Sequence, residues 1–386
     1  MLHYMEKLYI DSPDKLTNLC QQLRGSKWLA LDTEFMREKT YYPRLCLLQV
    51  GTPDITACID TQSLPDIDPL LDIIYDPSIT KVFHAAGQDL EIFYHLKGSL
   101  PEPLFDTQVA APLLGFPEQA GYARLVDDIL GIHLGKAHTR ADWSHRPLTE
   151  AQLKYAADDV IYLCQIYEHL RDELDKRGRL KWLQNDFTEL SDPSRHENLP
   201  EKAWRRVKAA NKLRGASLAV LQALAKWREK TAQDVDMPRG WLLKDDVLVD
   251  IARQQPAKRD ELARIRGLHE RIVKKYGEQL LGLIKDSSVH TPEALPDFIR
   301  SSKLSVAQEG LVDLLNAVVH LRASELELNP AQLASRKHLQ RMILGQDNLE
   351  VMQGWRKDLV GVELQSILNG EKYIYIENGK LRVQTE

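Results

Sequence analysis

Short apolar runs alternate with segments of helical periodicity along the first 110 residues of the chain. Apolar runs of about four to eight residues between turn residues predict buried strands, whereas apolar positions three and four residues apart predict helices. The alternation predicts an α/β fold in which a mixed sheet is covered by helices. The predicted strands are 28–35, 44–50, 56–60 and 80–84, and the predicted helices are 69–75 and 88–96.

From Thr107 onward the pattern is helical, and its clearest helix begins after Thr149. Thr149 and Gln152 match a capping box, in which the hydroxyl accepts from the third amide and the glutamine side chain reaches back to the capping residue. Apolar residues then recur at spacings of three and four to about Lys176. The polar, turn-rich stretch 191–200 predicts a domain boundary.

Two similar helical blocks are predicted beyond this boundary, at roughly 211–290 and 295–371. Each opens with an amphipathic helix in which an apolar residue precedes an arginine, and a loop with a proline follows. The tail predicts a β-hairpin, because its Asn378-Gly379 dipeptide favours the tight turn between paired strands. We therefore predict a first domain at 1–195, a linker helix at 196–210, a helical domain at 211–292, and a second helical domain with the hairpin at 293–386.

The composition is that of an ordinary globular chain, since 43% of the 386 residues are hydrophobic and 28% are charged. This length predicts two or three domains. No apolar run approaches the roughly 18 residues of a membrane span, and the start of the chain shows no signal-peptide pattern. The four cysteines are scattered, which disfavours a zinc cage or a disulfide framework. We expect a cytoplasmic monomer that does not bind membranes.

The formal net charge is −5, but the charge is unevenly distributed. Residues 201–290 contain 20 lysines and arginines against 12 acidic residues, so this segment carries +8 and the remainder carries −13. A basic segment beside an acidic one suits a phosphate-binding region next to a metal-binding region. Solvated surface helices give the same pattern, so charge alone leaves nucleic-acid binding open.

Two acids, Asp32 and Glu34, lie two residues apart in a predicted apolar strand. Their side chains therefore project from the same face, about 7 Å apart along the strand. Like charges are costly to bury, and a divalent cation would remove that cost. The alternative is that the strand end is exposed and both acids are solvated.

Two further acids support the first interpretation. Asp89 follows the predicted strand 80–84 after a short turn, and Asp159 lies in the capped helix one turn after Tyr155. Four acids favour two Mg²⁺ or Mn²⁺ ions, which prefer oxygen ligands. Two ions about 3.5–4 Å apart can bind the attacking water and the leaving oxygen of a phosphoryl displacement. Tyr155, with a reference pKa near 10, suits orienting that water better than deprotonating it.

Three motifs resemble those of the DEDD exonuclease superfamily. They are Asp32-Thr-Glu34-Phe35, His84-Ala-Ala-Gly-Gln-Asp89 and Tyr155-Ala-Ala-Asp158-Asp159. The third is similar to the tyrosine subclass, because the histidine subclass would have a histidine where Lys154 stands. His84 occupies a position where many relatives carry asparagine. The stretch 142–155 and the two helical blocks resemble the ribonuclease D family with its C-terminal HRDC domains.

This resemblance implies a ribonuclease H-like sheet followed by two all-α HRDC bundles. It implies a 3′→5′ exoribonuclease that releases 5′-mononucleotides by two-metal-ion hydrolysis, acting on RNA with a single-stranded 3′ end such as tRNA precursors. By the same resemblance, Asp32, Glu34 and Asp159 hold the first ion. Asp32 bridges to the second ion, which Asp89 contacts directly or through water. Asp158 is the nearest rival to Asp159, but the motif spacing favours Asp159.

RNA contacts are predicted from basic residues, which supply affinity independent of sequence, and from two ring side chains near the acids. Each basic residue has the alternative of a solvated helix face, and Phe35 has the alternative of plain core. The predicted contacts are Phe35, His84, Arg146, Arg205, Arg206, Lys208, Lys212, Arg214 and Arg228.

Three alternative functions share features with this sequence. A DNA 3′→5′ exonuclease of the same superfamily stays open, because residues that would read a 2′-hydroxyl cannot be located in the sequence. A catalytically inactive RNA-binding scaffold is disfavoured, because all four acids and Tyr155 are present. A helicase is disfavoured, because the chain has no G-x-x-x-x-G-K-S/T loop, and we expect no ATP binding.

Overall fold

The computed structural model describes residues 6–135, 141–293 and 304–385. Within these residues the first domain is built on a six-stranded mixed sheet with the strand order β1-β4-β3-β2-β5-β6. β3 runs antiparallel to both β2 and β4, whereas the β1–β4, β2–β5 and β5–β6 pairs are parallel. The strands are β1 (Glu6–Ile10), β2 (Trp28–Met36), β3 (Arg44–Gly51), β4 (Ile55–Ile59), β5 (Thr80–Phe83) and β6 (Leu104–Asp106).

Helices cover both faces of this sheet, so the predicted α/β class is confirmed. The predicted strands and helices are all present within one or two residues of their expected bounds. β1, β6 and the helix at 13–23 were not predicted, and the three-residue β6 is too short to show periodicity. The helices are α1 (Pro13–Leu23), α2 (Asp68–Ile74), α3 (Gly87–Lys97), α4 (Thr107–Ala110), α5 (Tyr122–Leu130), α6 (Glu150–Lys176) and α7 (Gln184–Leu190).

The long helix α6 begins at the predicted capping box. The amide of Gln152 donates to the Thr149 hydroxyl at 3.2 Å, and the Thr149 amide donates to the Gln152 side chain at 3.0 Å. The helix crosses β2, β3 and β4, and Gly51 permits its close approach. A Cβ at Gly51 would lie 2.9 Å from the Cys164 sulfur and 3.1 Å from Val160, so a larger residue would push α6 away from the sheet.

The segment predicted as a linker helix is different in the structure. It contains a 3-10 helix at Pro200–Arg206 rather than an α-helix. Ala203 and Trp204 are each only 1% exposed and pack into the core of the first helical block. The segment is therefore part of that block, because its apolar residues find their partners there.

The two helical blocks share an order of elements. In each, a long helix is followed by a short helix after a proline, Pro238 or Pro330, and then by another helix. The first block contains α8 (Gly215–Asp234), α9 (Arg239–Leu242), α10 (Asp245–Gln254), α11 (Arg259–Ala263) and α12 (Glu270–Ser287). The second contains α13 (Val306–Leu326), α14 (Pro330–Leu333), α15 (Arg336–Ile343), α16 (Gly354–Arg356) and α17 (Val362–Leu368), and its predicted start at 293 adjoins residues outside the described ranges.

The second block and the first domain share one hydrophobic core. Buried residues of α13, α15 and α17 belong to the same cluster as buried residues of β5, α5 and α6. Trp182 stacks on Trp355 with a centroid distance of 4.5 Å and an interplanar angle of 11°. The buried Arg179 donates to the carbonyls of Leu113 and Leu326, at 2.7 and 2.5 Å, and so joins the two parts by hydrogen bonds.

The predicted C-terminal hairpin is confirmed. It consists of β7 (Lys372–Glu377) and β8 (Lys380–Thr385), which pair antiparallel. Asn378 and Gly379 both have positive φ, 49° and 72°, as the tight hairpin turn requires. In the described ranges, no helix is both long enough and apolar enough to cross a lipid bilayer.

The shared core leads to the first prediction. Trp355→Ala should lower the free energy of unfolding by about 2–3 kcal/mol, because it removes an aromatic stack between the second block and the first domain. The first domain and the second block should still unfold in one transition, which differential scanning calorimetry would resolve. The matched control is Trp241→Ala, since Trp241 is 53% exposed and should change stability by less than about 0.5 kcal/mol. A second block that melts separately from the first domain would contradict a common core.

Candidate active site

Asp32 and Glu34 lie on the face of β2 that α6 covers. β2 is a central strand between β3 and β5, and its pairing with β3 shifts register between Glu34 and Phe35. Asp159 comes from the facing helix α6, one turn after Tyr155. Strand alternation and helix periodicity together therefore direct side chains from distant parts of the sequence into one space.

Three carboxylates meet in this space. One oxygen from each of Asp32, Glu34 and Asp159 lies within 4.8 Å of the other two. Across the described residues this is the one group of three or more acidic, histidine or cysteine side chains close enough to share a metal ion. Two oxygens that each lie about 2.0–2.6 Å from one hard cation are at most about 5 Å apart, which agrees with the separation observed here. The donor set therefore fits Mg²⁺ or Mn²⁺.

Burial, together with the neighbouring charges, makes the ionised forms of these acids costly when no cation is present. Burial, followed by the charges of Asp159 and Asp89, raises the pKa of Glu34 to about 9. Burial and the charge of Asp158 raise the pKa of Asp159 to about 7. Burial and the three neighbouring acids also raise the pKa of Asp32 well above its ordinary value. A divalent cation would reverse these shifts, because it favours the ionised forms.

Asp89 lies beside the three-carboxylate group rather than within it. The Thr33 hydroxyl donates to the Asp89 carboxylate at 2.5 Å, and burial raises the pKa of Asp89 to about 7. Asp106 fixes the turn that leads from β5 into α3, since its two oxygens accept the amides of Ala85 and Ala86. This turn brings Asp89 close enough for its charge to act on Asp32 and Glu34.

The Tyr155 phenol faces the same acids. Burial and the charges of Asp159, Glu34 and Asp32 raise its pKa above the ordinary value, so the hydroxyl keeps its proton at neutral pH. The centroid of the Tyr155 ring lies 6.1 Å from that of the Trp143 ring. Asp158, the rival to Asp159, forms an ion pair with Lys154 and is not in the three-carboxylate group.

Two residues near the site were not found from the sequence. The Tyr122 hydroxyl donates to the carbonyls of Asp159 and Asp158, at 2.5 and 3.1 Å, and so fixes the backbone of α6 at the acids. Gln49 is the cross-strand neighbour of Asp32. It is fully buried, and its amide has no hydrogen-bond partner among the described residues. Neither residue belongs to a motif, so only the structure reveals them.

Two predicted RNA contacts are corrected by the structure. Arg146 forms two 2.7 Å hydrogen bonds to the fully buried Asp60 and donates to the Cys46 carbonyl at 2.8 Å. Arg228 is 2% exposed and donates to Asp245 and the Leu243 carbonyl, at 2.9 and 2.8 Å. Arg228 is buried, and the partly exposed Arg146 has each of its guanidinium nitrogens bonded to protein oxygens. Both side chains therefore hold parts of the protein together, which argues against a phosphate contact.

The other predicted RNA contacts differ in their exposure and in their partners within the protein. Phe35 is half-buried at the end of β2. His84 bonds to the Thr107 hydroxyl at 2.9 Å, and burial lowers its pKa, so the ring is neutral at pH 7. Arg205 and Arg206 are exposed but are paired with Glu293 and Glu229. Lys208, Lys212 and Arg214 are exposed.

Comparison with known proteins agrees with this geometry. Residues 8–175 match the family model described as 3′-5′ exonuclease, and residues 217–284 match the HRDC domain model. The fold and the acidic site thus define a 3′-5′ exonuclease domain followed by an HRDC domain.

Full-length relatives narrow this class further. The chain is 38% identical over 381 residues to ribonuclease D of Granulibacter bethesdensis, covering 97% of this chain and 96% of that protein. It is 39% identical over 383 residues to ribonuclease D of Gluconacetobacter diazotrophicus, covering 98% and 97%. The crystal structure of Escherichia coli RNase D superposes with a TM-score of 0.80 at 33% identity, covering 95% of this chain and 99% of that one. The chain belongs to the ribonuclease D family of 3′→5′ exoribonucleases.

The raised pKa values lead to a prediction for the metal-free protein. The unfolded chain releases the Glu34 proton near its ordinary pKa of 4.5, whereas the folded protein holds it to about 9. The folded state therefore binds more protons between these values, and the stability of the metal-free protein should fall as pH rises from 5 to 9. Glu34→Gln should flatten this dependence and raise the melting temperature at pH 8.

The control is Glu38→Gln, because Glu38 is exposed and lies outside the carboxylate group. Thermal unfolding in excess chelator, measured at several pH values, would test the point. If the melting temperature depended on pH in the same way in the wild-type protein and in Glu34→Gln, ionisation of Glu34 would not destabilise the metal-free protein.

Proposed function

We propose that this protein trims the 3′ ends of structured RNAs, including tRNA precursors, and releases 5′-mononucleotides by two-metal-ion hydrolysis. The observation that carries the proposal is the group formed by Asp32, Glu34 and Asp159, with Asp89 and the Tyr155 phenol beside it. The E. coli relative is described as an exoribonuclease involved in structured RNA processing, and its 33% identity over nearly the whole chain supports a similar substrate class.

Each acid has a proposed role in this reaction. Asp32, Glu34 and Asp159 would hold one divalent ion, and Asp32 and Asp89 would hold a second, Asp89 directly or through water. Mg²⁺ or Mn²⁺ ions bound there would supply the positive charge that an in-line phosphoryl displacement requires at both the attacking and the leaving oxygen. The hydrogen bond from Thr33 orients the Asp89 carboxylate, and the Tyr122 bonds to α6 hold Asp159 at its place.

Tyr155 has a different proposed role. Its raised pKa keeps the phenol protonated, so it can donate a hydrogen bond but is a poor base at neutral pH. Its position one helical turn before Asp159 places the hydroxyl beside the carboxylates. We assign it the orientation of the attacking water.

RNA outside the site requires positive charge, because the acids themselves repel phosphates. The exposed residues that keep this proposed role are Arg205, Arg206, Lys208, Lys212 and Arg214, with Phe35 and His84 near the terminal nucleotide. Arg206 and Arg205 have acidic partners in the protein, which would weaken their attraction for phosphate. A monomeric state and a cytoplasmic location stay predictions from the sequence.

The main alternative is a DNA 3′→5′ exonuclease with the same metal chemistry. Turnover of matched ribo- and deoxyribo-oligonucleotides would distinguish the two. Faster release of mononucleotides from the ribo-oligonucleotide supports the proposal, and a preference for DNA would overturn the substrate class while leaving the site intact.

The direct test compares two adjacent aspartates. Asp159→Asn should lower the rate of mononucleotide release by about 100-fold or more, because it removes a ligand charge from the site. Asp158→Asn is the matched control, since Asp158 pairs with Lys154 outside the three-carboxylate group, and it should retain most activity. Time-resolved gels of a 3′-tailed tRNA in Mg²⁺ would follow both variants.

Chelation of divalent ions should stop the wild-type reaction, and added Mg²⁺ or Mn²⁺ should restore it. Full activity of Asp159→Asn, or an equal loss in both variants, would contradict the assignment of Asp159.

A further inference from the structure

Among the described residues, Trp241 is the most exposed of the Trp, Tyr and Phe side chains, and it belongs to no hydrophobic core. Trp241 is 53% exposed on the short helix α9, whose next residue, Leu242, is buried. An indole presents a large flat apolar face, and a single exposed residue of this kind needs no explanation by itself. Trp241, however, lies in a groove whose other side chains suggest a ligand.

Trp241 lines a groove of about 630 Å³ in the first helical block. Lys244, His269, Glu270 and Arg271 line the same groove, and all four are exposed. This volume lies within the range of about 300–1,000 Å³ that small ligands occupy. A flat aromatic face next to cationic side chains is the combination that binds single-stranded nucleic acid, with bases on the ring and phosphates on the cations.

Some cations of the first helical block are paired with carboxylates of the protein. Arg206 and Arg239 pair with Glu229, and Arg228 pairs with Asp245. Across the described ranges, by contrast, Lys244 and Arg271 have no carboxylate within ion-pair distance. Their charge is therefore directed to solvent or to an anionic ligand.

The groove also borders the catalytic domain. Gly240 lines both this groove and a second one of about 370 Å³, whose other wall includes Arg37, Glu38 and Thr40 of the first domain. Arg37 directly follows the last residue of β2, about 10 Å along the chain from Glu34. The two grooves therefore adjoin at Gly240, and the second one reaches the residues that directly follow the strand carrying the acids.

The junction between the two parts is held by a buried carboxylate. Glu229 is 0% exposed and accepts hydrogen bonds from the Tyr41 hydroxyl at 2.5 Å and from Arg206 at 2.9 Å. Asp236 accepts the backbone amides of Tyr41 and Tyr42, at 2.9 and 3.1 Å. The loop after β2 is thereby fixed to α8, so the Trp241 groove keeps a defined position relative to the catalytic strand.

We propose that the Trp241 groove binds an unpaired nucleotide of the RNA, upstream of the 3′ end that is cleaved. Its base stacks on the indole of Trp241, and its phosphates lie beside Lys244 and Arg271. This inference rests on the proposed exoribonuclease function and names a second contact for the same substrate. It favours RNAs whose single-stranded tail is long enough to extend from the acids to Trp241.

The test measures kcat/KM of the full-length enzyme on two RNAs, a trinucleotide and a 12-nucleotide single strand. Trp241→Ala should lower kcat/KM on the long RNA about 10-fold more than on the trinucleotide, mainly through KM. Trp241→Phe should recover much of this loss, because a phenyl ring also stacks. The matched control is Tyr375→Ala, an aromatic residue 40% exposed on the C-terminal hairpin, which should behave as wild type on both RNAs.

A second measurement tests the cations. Lys244→Gln and Arg271→Gln should each reduce the salt dependence of kcat/KM on the long RNA, by a slope of about one. Equal losses on both RNAs for Trp241→Ala, or an unchanged salt slope in both cation variants, would overturn the groove assignment. An inactive wild-type enzyme would instead refute the proposed function, so the two failures are distinguishable. If Trp241→Ala, Lys244→Gln and Arg271→Gln all showed wild-type kinetics on the long RNA, RNA binding in this groove would be refuted. A protein partner would then be the remaining candidate ligand.

Discussion

The burial of Asp32, Glu34 and Asp159 next to one another sets the conditions for the arrangement around them, because it makes their ionised forms costly. Three carboxylates whose oxygens lie within 4.8 Å of one another would destabilise the fold at neutral pH unless protons or cations compensate. Their approach requires β2 to lie in the centre of the sheet and α6 to cross it closely, which the absence of a side chain at Gly51 permits. The arrangement therefore suits metal binding, and it lowers the stability of the protein when no metal is bound.

The helical blocks support this site in two different ways. The second block shares a core with the first domain, and the Trp182–Trp355 stack and Arg179 join the two. The first block has its own core and meets the first domain at polar contacts around the buried Glu229. One block is thus part of the catalytic body, while the other presents a separate surface next to the strand of the acids.

Most of the strands and helices of the first domain, and the meeting of Asp32, Glu34 and Asp159, could be predicted from local periodicity and motif spacing. Alternation in β2 places Asp32 and Glu34 on one face, and the capping box sets the register that orients Tyr155 and Asp159. The predictions that were wrong or missing concern contacts between residues far apart in the sequence. A pattern of positive charge cannot reveal that Arg228 is buried against Asp245, or that Arg146 is held by Asp60. Nothing local indicates that the Tyr122 hydroxyl reaches α6, or that the second block shares a core with the first domain.

The most direct test is anomalous X-ray scattering from crystals of the protein grown or soaked with Mn²⁺. We expect two peaks about 3.5–4 Å apart, with oxygens of Asp32, Glu34 and Asp159 around one peak and Asp32 between the two peaks. Peaks elsewhere, or no peak at these side chains in an enzyme that Mn²⁺ activates, would contradict metal binding by Asp32, Glu34 and Asp159.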